Sequence, residues 1–296
     1  MKLPNNLFRS CAVISLVFAS CQTEEKFEDE IQQDTELQIT LLEEQSAFDS
    51  SLPRETVTLY GTEIEMIALG NGDFALGDMI FNQDYLDQSN AALGKGVIDR
   101  RAGKWPNKTI LYRYSNNMPQ ATKDKVNYAA NYITNNTELT VRKWNSNDSA
   151  GYVWVGYVED AGCSAQIGYL NQKFPGQRMN IAPGCSNGST IHEFLHAAGV
   201  MHEQNHHNRD QYVEVLYQNI RDDLEFAYTK LSDANGYEIS DVVDLNSIMM
   251  YGSYFWQTDA AKQNGWRTMR TVSGGTIVPN RSYMTQKDIN VINGWY

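Results

Sequence analysis

Long apolar runs are missing from this 296-residue chain. The one such stretch near its start, Cys11 to Ala19, is too short to cross a membrane as a helix. Basic residues are scarce between positions 22 and 90, with 2 Lys or Arg against 17 Asp or Glu. That excludes nucleic-acid binding by this segment, since phosphates would repel it. Residues 91–296 are nearly balanced, with 20 basic and 19 acidic side chains, so the charge asymmetry marks a boundary near residue 90. Cysteine is rare: of four, only Cys163 and Cys185 lie beyond residue 21. Repeats and low-complexity segments are absent. Histidine is also rare, and all five fall between positions 192 and 207.

What is present begins with an export signature. Lys2 and Arg9 precede the short apolar run, so Met1 to Ser20 reads as a secretory signal. Val17-Phe18-Ala19-Ser20-Cys21 is also a loose lipobox, in which Cys21 would carry a lipid and become the first residue of a bacterial lipoprotein. An ordinary signal cut near Ala19 or Ser20 is the alternative. The expected place is therefore outside the cytoplasm, secreted or lipid-anchored at a bacterial cell surface. In an oxidising compartment Cys163 and Cys185 can pair, and two buried thiols are the other reading.

The pattern of the rest is mixed. Glu24 to Gln38 reads as flexible, and Glu55 to Met66 alternates enough to form strands. Strands are expected at Thr109–Tyr114, Leu139–Trp144, Tyr152–Val158, Gln166–Leu170 and Arg178–Ala182, with helices at Thr122–Asn135 and from Thr285 to about Gly294.

The histidines carry the chemistry. His192-Glu193-Phe194-Leu195-His196-Ala197-Ala198-Gly199-Val200-Met201-His202 reads H-E-x-x-H-x-x-G-x-x-H, and the spacing predicts a helix over Ser189 to Val200. His192 and His196 then share one face, roughly 6 Å apart along the axis, and can reach one ion. Glu193 points elsewhere and can act as base to a water on that ion. Gly199 ends the helix, because glycine takes the left-handed conformation at low cost. The chain turns back and His202 becomes the third ligand. Three neutral imidazoles leave zinc an open position. The bland alternative, satisfied histidines on a half-buried helix, does not account for the glycine and the third histidine.

This long motif resembles that of the metzincin metalloproteases. Glu203, the stretch Arg209-Asp210-Gln211-Tyr212-Val213, and Ser247-Ile248-Met249-Met250-Tyr251-Gly252 make the chain similar to the astacin family, over roughly Asn90 to Tyr296. The resemblance implies an α+β metzincin fold, with a twisted mixed sheet and an active-site helix above an irregular C-terminal subdomain. It implies one zinc per chain on His192, His196 and His202, with Glu193 as general base. Met249 would form an apolar floor beneath the ligands, and Tyr251 would stabilise the oxyanion. Met250 stands where the family usually has histidine. The family's second disulfide is missing. Substrates would be proteins or peptides.

The resemblance also implies a zymogen: a signal at 1–20, an acidic propeptide at 21–90 and a catalytic domain at 91–296. Leu76-Gly77-Asp78 resembles the stretch whose aspartate occupies the zinc before activation, although Ala75 stands where phenylalanine would align. Cys21 is the rival, since an unpaired thiolate is a softer zinc ligand. Asn90-Ala91-Ala92-Leu93 resembles a mature start, and Glu203 would receive the new amino terminus. Two other readings are a pseudo-protease that binds without cutting and a zinc protease of the thermolysin type, which takes a downstream glutamate as third ligand.

Overall fold

Arg54–Leu59 (β1) and Thr62–Gly70 (β2) form the hairpin that the alternation at Glu55–Met66 suggests, turning at Tyr60-Gly61. A computed structural model describes residues 47–91, 103–159, 161–172, 174–231 and 242–296. The signal, Cys21 and Glu24–Gln38 lie outside the described residues. Asp73–Leu76 (β3) and Met79–Asn82 (β4) complete an antiparallel meander, which the helix Gln83–Ala91 (α1) follows.

The second half of the sheet comes from Thr109–Tyr114 (β5), Thr140–Lys143 (β6), Val153–Gly156 (β7), Ser164–Gln166 (β8) and Gln177–Asn180 (β9). The whole is one nine-stranded sheet in the order β1-β2-β3-β4-β8-β9-β7-β5-β6. β5 runs parallel to β6 and β7, β7 runs parallel to β9, and β8 is antiparallel to β9. The meander joins through β4, which lies parallel to β8 with Met79 opposite Ala165 and Ile80 opposite Gln166. Charge composition separates the acidic segment from the rest, yet backbone pairing joins its strands to the same sheet.

β8 begins and ends earlier than the expected strand at Gln166–Leu170 and shares only Gln166 with it. Ile167 N still donates to Ile80 O (2.9 Å), but Gly168 N already turns to His196 O (3.0 Å). The other expected elements fall within two or three residues of those observed. Ser186 caps the central helix Asn187–Ala197 (α3), its hydroxyl accepting from Ser189 N at 2.9 Å. This moves the start ahead of the expected Ser189.

Gln120–Asn136 (α2) presents Val126, Ala129, Ala130 and Ile133 to a core shared with Ile191, Phe194 and Leu195 of α3 and with Ile110, Val153 and Val155 of the sheet. A second core gathers Leu59, Met66, Phe74, Leu76, Met79 and Phe81 of β1–β4 against Ile220, Phe226, Tyr228, Phe255 and Trp256. The C-terminal half is largely turns. Its regular parts are Val213–Val215 (β10) paired with Met269–Thr271 (β11), the short helix Asp259–Asn264 (α4), and Gln286–Trp295 (α5).

Cys163 and Cys185 are bonded. Where a second bridge is missing, two aromatic residues far apart in sequence meet at the end of α3. Trp105 Nε1 donates to Ala197 O (2.7 Å), and Tyr296 Oη donates to Ala198 O (2.9 Å). These carbonyls lie in the last turn of a helix, where the chain leaves acceptors unpaired. Satisfying them from both sides ties Trp105 and Tyr296 to the helix that carries the histidines.

Candidate metal centre

The end of α3 sets the geometry of the site. Gly199 N donates to His196 O (2.8 Å) and Val200 N to Leu195 O (2.9 Å), a Schellman closure with Gly199 at φ +100°. The turn brings His202 back against His192 and His196. All three imidazoles are buried.

Outer contacts fix two of the rings. His192 Nδ1 bonds Ile248 O (2.8 Å) and His196 Nδ1 bonds Val200 O (2.7 Å). A carbonyl only accepts, so both Nδ1 atoms carry the proton and both Nε2 atoms present a lone pair. Burial pushes the pKa of His192 down to about 3 and that of His202 down to about 4. Both rings are therefore neutral, as a metal ligand must be.

Ile248 is itself held from two sides. Its N–H donates to Asp288 Oδ2 (3.2 Å), and its carbonyl also accepts from Arg281 Nη1 (2.8 Å). Asp288 forms a capping box with Thr285 at the start of α5 and accepts from the Ser247 hydroxyl (2.5 Å). Thus α5 and Arg281 together position the carbonyl that orients His192. No sequence pattern pointed to Arg281. A single arginine in an irregular segment has no periodicity, and its burial depends on contacts distant in sequence.

Asp78 completes the cluster. Its Oδ1 lies 3.0 Å from His202 Nε2 and 3.4 Å from His196 Nε2, and its Oδ2 lies 3.4 Å from His192 Nε2. The strand behind it fixes its backbone, with Ala165 N donating to Asp78 O (3.2 Å).

These residues fit a cation. His192 Nε2 and His196 Nε2 stand 3.1 and 3.2 Å from His202 Nε2. Two of these atoms are lone pairs with no proton between them and their neighbours, and buried Asp78 Oδ1 has no hydrogen-bond donor. Acceptors converging on one point need a positive charge at its centre. A tetrahedral ion with bonds of about 2.0–2.1 Å places its ligands about 3.3 Å apart, close to the spacings here. The four ligand atoms all lie within 4.8 Å of one another.

A family model described as Astacin (Peptidase family M12A) matches residues 97–296. The chain belongs to the astacin family. Zinc metalloproteinase nas-4 of Caenorhabditis elegans is 26% identical over 229 residues, which cover 76% of this chain and 69% of the relative. Zinc metalloproteinase nas-37 of the same organism is 28% identical over 197 residues, 65% of this chain but 24% of the relative. Among solved structures, High choriolytic enzyme 1, a hatching enzyme zinc-protease from Oryzias latipes, superposes with a TM-score of 0.53 at 23% identity. The match covers 64% of this chain and 91% of that one, and it shows the fold. As an astacin, the chain is a zinc metalloprotease, and the ion that its donor set fits is zinc.

The remaining sequence-derived residues of this astacin sit as follows. Glu193 is buried beside His192 on α3. Tyr251 is buried with its ring centre 4.7 Å from that of His202. Met249 is buried in the core that carries Phe194, and its carbonyl accepts from Glu203 N (3.1 Å). Burial pushes the pKa of Glu203 up to about 7, and its Oε2 accepts from Asp244 N (3.0 Å). Ala91 ends α1, and residues 92–102, which follow the expected mature start, lie outside the described residues.

Proposed function

We propose that the chain is an exported zinc endopeptidase made as a zymogen, in which residues 21–90 block a catalytic domain at 91–296. The observation that carries this reading is Asp78: an ionised carboxylate from the acidic segment lies 3.0–3.4 Å from all three imidazole Nε2 atoms. A fourth protein ligand fills the position that a catalytic zinc keeps open. The cluster is thus complete only while β4 lies along β8.

His192, His196 and His202 hold the zinc. That ion supplies Lewis acidity, which lowers the pKa of water and polarises a peptide carbonyl. Glu193 takes the proton of the attacking water and passes it to the leaving nitrogen. Tyr251 donates its phenolic hydrogen to the oxyanion that forms at the former carbonyl. Met249 supports the site from its apolar side. Glu203, half-protonated near neutrality in its present surroundings, is the partner for the amino group freed near Ala91. Met1–Ser20 directs export, and Cys21 either carries a lipid or is free.

The test uses full-length zinc-loaded protein with the Asn90–Ala91 junction made uncleavable. Asp78→Ala is expected to hydrolyse a protein substrate such as casein without processing, while Cys21→Ser stays silent. A silent Asp78→Ala beside an active Cys21→Ser would move the block to the thiol.

A further inference from the structure

We propose that Arg281 is a positioning residue that locks the metal ligand His192 and the oxyanion donor Tyr251 to one another, through the carbonyls on either side of Met249. For Tyr251 this rests on the role assigned to it under the proposed function.

Residues 247–251 belong to no helix or strand, yet Ile248, Met249, Met250 and Tyr251 are all buried. Buried carbonyls in irregular chain need donors from elsewhere. Arg281 serves two of them from one nitrogen: Nη1 donates to Ile248 O (2.8 Å) and to Met250 O (3.3 Å). The same nitrogen donates to Asn280 O (2.9 Å), which holds the guanidinium against its own chain. Arg281 is itself buried.

Each carbonyl leads to a different part of the site. Ile248 O also accepts from His192 Nδ1 (2.8 Å), so the arginine and the ligand ring take its two lone pairs. The direction in which His192 Nε2 faces the other imidazoles is thereby fixed. Met250 O belongs to the planar peptide whose other end is the Tyr251 nitrogen. Holding that oxygen sets the rotation of the plane from which the Tyr251 side chain departs. The phenol lies several bonds further out, so a small rotation of the plane becomes a larger swing of its hydroxyl.

The main chain of Arg281 is seated on the helix that carries the ligands. A Cβ built on Gly188, in the first turn of α3, would lie 1.7 Å from Arg281 O and 2.1 Å from its carbonyl carbon. Only a residue without a side chain allows this approach. His192 follows Gly188 by about one turn of the same helix. One residue thus touches α3 with its backbone and holds the turn containing Met249 with its side chain. An arginine that merely satisfied buried carbonyls would cost stability when removed. Arg281 as placed here predicts two separable losses, in zinc affinity through Ile248 O and in turnover through Met250 O.

The experiment uses Arg281→Met, which donates no hydrogen bond, and Arg281→Lys, a milder variant that keeps the charge on a shorter stem. Circular dichroism establishes which of them folds. Zinc affinity of the full-length chain, read by competition with a chelator, is expected to fall about 10- to 100-fold in Arg281→Met, as when a group that orients a metal ligand is removed. In zinc-saturated protein processed near residue 90, kcat should fall by about 10- to 100-fold while KM stays within about 2-fold. The deciding measurement is the cycle with Tyr251→Phe. In that background the substitution at 281 should change kcat by no more than about 2-fold, while its effect on zinc affinity persists in full. Arg281→Lys reads the same cycle with smaller losses and carries the test should Arg281→Met not fold. Unchanged zinc affinity in the folded variant, or a kcat loss of equal size with and without the Tyr251 hydroxyl, overturns the inference. An unchanged kcat in Tyr251→Phe alone would instead sink the role proposed for the tyrosine, and the zinc competition would still decide whether Arg281 acts on His192.

Discussion

Gly77 is pressed against the phenol of Tyr251: a Cβ built on Gly77 would lie 2.5 Å from Tyr251 Oη. Its φ of +67° is also left-handed. Two independent constraints thus demand glycine one residue before Asp78. The contact places the turn that carries Asp78 on the residue assigned to the oxyanion as well as on the metal ligands.

Gly77→Ala should therefore loosen the block. The left-handed backbone costs about 1–2 kcal/mol for a residue with a Cβ, and the clash adds to it. The uncleavable full-length variant is expected to show about 5- to 30-fold more residual peptidase activity than its parent, by the same conversion. Residual activity equal to the parent would mean that Tyr251 moves aside freely.

Glu193→Ala should keep the fold and the zinc, since the glutamate is not among the converging ligand atoms. Most peptidase activity should be lost, in kcat rather than KM, because the proton transfer belongs to the transition state. Zinc analysis and circular dichroism check the first part, and steady-state kinetics of the processed protein check the second. Near-normal turnover would require another base.

Tyr251→Phe should lower kcat more than it raises KM, by about 100- to 1000-fold for the loss of one oxyanion donor. An unchanged kcat would return Tyr251 to packing against His202, Tyr228 and Phe255.

Much of this site could be read from the chain, and the reason is locality. His192, His196, Gly199 and His202 lie within eleven residues, so helix periodicity and one turn determine how they meet. Asp78 was legible only through family resemblance. It lies more than a hundred residues from the histidines, and a Gly-Asp pair by itself reads as a turn. The pairing of β4 with β8 was not legible at all. A four-residue strand and a three-residue strand have no local signal for partner or direction, and composition pointed to separation. Arg281 was missed for a related reason, since its partners lie in irregular chain distant in sequence. The strand expected at Gln166–Leu170 was placed too late because its alternation continues after the backbone has turned toward His196.

Metal removal provides the last prediction. In the folded chain the three imidazoles and Asp78 converge on one point, whereas the unfolded chain disperses them. Zinc therefore binds the native state in preference and stabilises it by mass action, by about 2.7 kcal/mol when free zinc is a hundredfold above its Kd. For a domain of this size each kcal/mol moves Tm by about 2–4 °C, so chelation should lower the Tm of the full-length protein by about 5–11 °C. Restoring zinc should restore it. His202→Ala removes the ligand to which the other three donors are nearest, so its Tm should respond weakly or not at all to the same addition. Calorimetry of both proteins, with and without zinc, makes the comparison. A full zinc-dependent rise in His202→Ala would show that the ion sits elsewhere, and the reading of the converging lone pairs as its site would fall.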